Sequence, residues 1–166
     1  MNVKRTAFLL LVSSGMVTRS APPTERTEIY QKALIEAAKE MEKEWGDLKG
    51  GPLDESTPTD YKHLLVCTDE SVPDDYPANV GERHFDYVTK AELLSRRKLA
   101  ERNFSVLIVN PARIEGSRVK VVVEQRVVRI EQGRLTLAIS DWGAVFFRFD
   151  CEKKELLFDE VKLGGI

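Results

Sequence analysis

The sequence lacks nearly every short motif by which a catalytic protein can be recognised. It has no glycine-rich phosphate loop, no nucleophile elbow, no C-x-x-C and no H-E-x-x-H. Phosphate cradling, acyl transfer through an activated serine, dithiol exchange and helix-borne zinc hydrolysis are therefore without their usual residues. Cysteine and histidine are scarce, two of each, so the fold needs neither a dense disulfide set nor a metal centre to hold it. No apolar run approaches the roughly 20 residues that cross a bilayer as a helix. Internal repeats and low-complexity tracts are also missing, and the 166 residues suffice for a single domain that buries about 70% of its unfolded surface.

Residues 1–23 read as a secretory leader. Lys4 and Arg5 precede an apolar run over residues 7–12, small residues follow, and the segment contains no acid, which is the pattern of a signal peptide. Cleavage after Ser20 removes three cations and takes the formal net charge from −2 to −5. An acidic chain does not suit the phosphates of a nucleic acid, so none is expected as a partner. The expected localisation is secreted or periplasmic, with a cytoplasmic protein carrying a basic tail as the alternative.

Pro22-Pro23 ends the leader, and residues 24–166 are expected to form the domain. Thr24 stands as an N-cap before Glu25 and Glu28, whose carboxylates suit a helix N-terminus. Tyr30, Leu34, Ala37, Ala38, Met41 and Trp45 then recur at helical spacing up to Gly46, which predicts a long amphipathic helix laid on a core. Residues 47–59 are turn formers. Two short strands are expected over 61–68 and 84–88, placed to pair as a hairpin. The acidic excursion between them matches no calcium loop, so neither a metal nor another cofactor is expected. Thr89 and Glu92 form a capping box, flanked by Val88 and Leu93 as a hydrophobic staple, and predict a second helix over 90–102. Its Arg96, Arg97, Lys98 and Arg102 fit a solvated face.

The last third reads as four strands, 104–114, 119–130, 135–149 and 155–163. The links are too short for parallel crossovers and make the segment an antiparallel meander. In the third strand Leu135, Leu137 and Ile139 alternate with Thr136, Ala138 and Ser140 until Gly143, a glycine that predicts a bulge or bend. Val119, Val121 and Val123 give way to Val128 and Ile130, so the apolar set changes parity near residues 125–127, as in a bent strand. Trp45, Phe147 and Phe149 are expected to fill the interior with the helix stripe.

This order of helix, two short strands, helix and meander resembles the NTF2-like fold, of which the cystatin fold is a simpler relative. The resemblance implies an α+β domain with a curved antiparallel sheet wrapped as a cone around the N-terminal helix. It covers residues 24–163 through element order, and such folds host enzymes, carriers and structural modules alike. Gln125-Arg126-Val127-Val128-Arg129 also resembles the Q-x-V-x-G hairpin of cystatin-type protease inhibitors, with Arg129 where the turn glycine belongs.

Candidate site residues are few. His63 and His84 open the two early strands, with Asp60, Tyr61, Asp86 and Tyr87 close in sequence. In NTF2-like enzymes a His and an Asp facing the cone do acid and base work, which here points to His63, His84 and Asp86 as catalytic candidates. Tyr61, Tyr87 and Trp142 are candidates for contact with a ligand. Cys67 and Cys151 have two readings, free thiols or a disulfide closing a loop of about 85 residues worth roughly 4 to 5 kcal/mol. The expected function is a binding or interaction module without catalysis, for a protein or small-molecule ligand, and the sheet would also admit a homodimer. The alternative is a small hydrolase, isomerase or dehydratase.

Overall fold

The computed structural model describes residues 25–46, 63–72, 79–95 and 104–165. The leader, residues 47–62 with Asp60 and Tyr61, the helix extension with Arg96, Arg97, Lys98 and Arg102, and the Trp45 side chain lie outside them. The chain is α+β. A 22-residue helix α1 (Glu25–Gly46) precedes strand β1 (His63–Cys67), a 3-10 turn, β2 (Asn79–Val80), β3 (Arg83–Val88) and helix α2 (Lys90–Ser95). Strands β4 (Phe104–Val109), β5 (Arg113–Glu115), β6 (Arg118–Glu131), β7 (Arg134–Asp150) and β8 (Glu155–Gly165) complete it.

All the described strands form one sheet in the order β2-β3-β1-β4-β6-β7-β8, with β5 added beside β6. The sheet is mixed, which corrects the expected antiparallel one. β1 pairs parallel with both β3 and β4, so the two early strands are not a hairpin. Some fifteen residues separate β1 from β3, enough for the crossover that a parallel pair requires. From β4 onward the pairing is antiparallel. The expected strand over 104–114 is broken in two. Pro111 has no N–H to give a ladder. Asn110 N–H before it still donates to the Val122 carbonyl of β6 at 2.8 Å, whereas Ala112 N–H after it turns to the Tyr30 hydroxyl at 3.0 Å.

Two apolar clusters lie on opposite faces of the sheet. Under α1, Tyr30, Ala33, Leu34, Ala37 and Met41 pack on Val66, Phe85, Leu107, Val109, Val121, Val123, Val145 and Phe147. On the other face Leu93 of α2 packs with Cys67, Val88, Val106, Ile108 and Val128. The covered face therefore changes along the sheet, and β6 and β7 meet the change differently. β6 keeps its alternation and moves its apolar set from Val121 and Val123 to Val128 and Ile130. β7 keeps odd-numbered apolar positions throughout, and an extra residue carries them across. Gln125 faces Asp141 and Arg126 faces Ile139, which leaves Ser140 as a bulge, its hydroxyl donating to the Gln125 carbonyl at 3.1 Å.

Gly143 is not the bulge. It stays in register between Val123 and Leu163, where a Cβ would come within 3.2 Å of the Ala37 Cβ, so α1 rests on the sheet at this point. Away from both helices, Phe146 is shielded by Arg118, Lys120 and Lys162 at 4.3, 5.8 and 5.3 Å from its ring centroid. Arg118, then Lys162, hydrogen-bonds Glu160 and holds its carboxyl below the ordinary range.

The start of α2 carries the capping box. Thr89 N–H donates to Glu92 Oε2 at 2.7 Å, and Glu92 N–H donates back to Thr89 Oγ1 at 3.2 Å. Removing the hydroxyl with Thr89→Ala is expected to cost about 1 kcal/mol in a urea melt. An unchanged midpoint would mean the cap contributes nothing in solution.

Candidate functional site

The chain's histidines meet on one rung. His63 and His84 are register partners of the parallel β1–β3 pair, although the His63 side chain is not among those described. Leu64, Val66, Phe85 and Tyr87 pack toward α1, and strand alternation puts His84 and Asp86 on the opposite face. There His84 Nδ1 lies 2.7 Å from Asn79 Oδ1 and Nε2 lies 3.0 Å from Asp86 Oδ1. An imidazole with an oxygen at each nitrogen is held in orientation, and the carboxylate at Nε2 could take up or return a proton through it. The side chains remain 40% and 54% exposed, so bulk water reaches the pair, and it is turned away from the interior under α1. Asn79 is the member of this group that the sequence reading missed, because β2 joins β3 only through a turn at Gly81.

The other expected residues are scattered. Tyr87 points into the α1 cluster, where burial pushes its phenol above the ordinary value. Trp142 lies on the face away from α1 with its indole against Gly164, where a Cβ would run into the ring. Its ring covers a glycine of the neighbouring strand. Cys67 and Cys151 are free, the first buried under α2 and the second exposed in the β7–β8 turn. Burial, aided by Asp69, raises the Cys67 thiol and leaves little of the reactive thiolate. No group of three or more metal-binding side chains occurs among the described residues.

A groove that the sequence reading did not anticipate lies beside the first turns of α1. Its walls are Ile29 and Lys32 of α1, Val119 of β6, Phe147 and Phe149 of β7, and Leu156 of β8, around a cavity of about 800 Å³. Phe147 forms the buried floor, whereas Phe149 is 54% exposed and Leu156 36%. Phe149 is thus a wall of the groove and not part of the core filling expected for it. Glu28, Lys32 and Lys154 place charges of both signs on the rim. An apolar floor with polar groups at its margin is the usual composition of a ligand seat. The sequence carries only half of the signal for it: β7 stays apolar to Phe149, but the place of α1 above that end is set by packing. Comparison with protein-family models, curated proteins and solved structures finds no match for this chain.

Proposed function

We propose that the protein is a secreted or periplasmic binding module that works without catalysis and seats an apolar ligand, a small molecule or a segment of a protein, in the groove between α1 and strands β6 to β8. The observation that carries this reading is Phe149. A large aromatic that stays 54% exposed above a buried phenylalanine keeps apolar area in water, which a ligand of matching chemistry would remove. The long helix on one face of a bent sheet supports an NTF2-like reading, and the parallel pairings of β1 depart from the sheet that this reading expects. No described helix is long and apolar enough to cross a membrane.

A second reading, a small hydrolase, isomerase or dehydratase, is favoured by one observation, the 3.0 Å contact of His84 with Asp86. Titration with an anilinonaphthalene sulfonate dye separates the two. Phe149→Ser is expected to weaken dye binding by about fivefold, the loss of roughly 1 kcal/mol of apolar contact, and His84→Ala to leave it unchanged. Equal binding by wild type and Phe149→Ser would overturn the groove as the seat.

A further inference from the structure

β8 closes one end of the sheet. Its inner edge pairs with β7 from Glu155 to Gly165, and no described strand pairs with its outer edge. The opposite end is β2, only two residues long. A long edge of free N–H and C=O groups is a template for another strand. Leu156 and Phe158, each 36% exposed, extend the apolar surface of the α1 side to this edge. The charges near the two ends of the strand are opposite in sign. Glu155 stands opposite Asp150 and Lys162 opposite Ala144, which puts both on the face away from α1, with side chains 53% and 56% exposed.

We propose that β8 pairs antiparallel with β8 of a second copy of this chain, about a two-fold axis between Phe158 and Asp159, setting Glu155 of each copy opposite Lys162 of the other. In this register Leu156 meets Val161 on the α1 side and Leu157 meets Glu160 on the other. A regular strand cannot pair with itself about an axis between two residues, because opposite residues would then point to different faces. β8 is not regular there. Phe158 faces Phe147 while Glu160 faces Phe146, so Asp159 is an extra residue that shifts the alternation by one at the axis. Both arms then come into phase. A bulge interrupts the ladder locally, which leaves residues 155–157 and 160–162 as the paired arms. Leu156 belongs to this edge and to the groove, but pairing requires no ligand.

Sedimentation equilibrium of the full chain without ligand tests the pairing through a charge-swap cycle. Wild type is expected to form a concentration-dependent dimer. Lys162→Glu and Glu155→Lys each turn two attractive cross-strand pairs into repulsive ones and are expected to raise the dimer dissociation constant about tenfold. The double swap restores both pairs and should return the constant to within about threefold of wild type. Circular dichroism checks that each variant is folded. A monomeric wild type, a dimer indifferent to both reversals, or a double variant as weak as the weaker single one would each overturn the proposal. Dye binding to the groove is read separately, so failure of the dimer and failure of the ligand seat are distinguishable.

Discussion

Valine in place of Gly143 is expected to destabilise the fold by about 3 kcal/mol, at the upper end of what overpacking a core costs. The Cβ alone would stand 3.2 Å from the Ala37 Cβ and 3.4 Å from Leu163 Cδ2 and Met41 Cε. Ala33, Ala37 and Met41 have no exposed surface, so α1 can yield only by lifting off the sheet. A β-branched residue would favour the strand by up to about 1 kcal/mol, and the clash outweighs that gain. Ala37→Gly in the valine background removes the nearest obstruction and should return about 1 kcal/mol, beyond the cost of a helix glycine. Urea melts of Gly143→Val, Ala37→Gly and the double variant read the cycle. A Gly143→Val midpoint close to wild type would mean that the helix does not press on the strand there.

Phe147→Ala is expected to cost about 4 kcal/mol, whereas Phe149→Ala should change stability by less than about 1 kcal/mol. The two residues share a strand and a face, so propensity and register do not distinguish them. What differs is the cover. Phe147 is 1% exposed beneath α1 and meets Phe158 edge-on at 6.4 Å between centroids, whereas Phe149 lies beyond the covered part of the sheet. Comparable losses from both variants would mean that the groove is closed in solution and that Phe149 belongs to the interior.

The sequence made the strands of the last third legible because their signals are local. Period-2 apolar residues were bounded by turns, and Gly116, Gly133, Gln132 and Lys154 adopt the positive φ that tight links require. The parity change in β6 was also visible, but its cause was not. It reads as a bend from one strand alone, and only the positions of α1 and α2 on opposite faces explain it. Parallel pairing of β1 with β3 and β4 left no mark, since no short turn connects the partners. Of the candidate site, the His84–Asp86 contact was legible as two residues on one face of a strand. The groove was not, because it depends on where α1 lies relative to the ends of β7 and β8.

The two kinds of pairing also set an order of assembly. Strands β6, β7 and β8 are joined by tight turns and close with little loss of loop entropy, whereas α1 and β1 must find partners far along the chain. Synthesis proceeds in the opposite sense. The helix stripe of Tyr30, Leu34 and Met41 is made first, and the valines at 121, 123 and 145 that cover it are made late. Until β7 has left the ribosome this apolar face has only part of its sheet to lie on, so the nascent chain is most prone to aggregation over its first two thirds and has most to gain there from a holding chaperone.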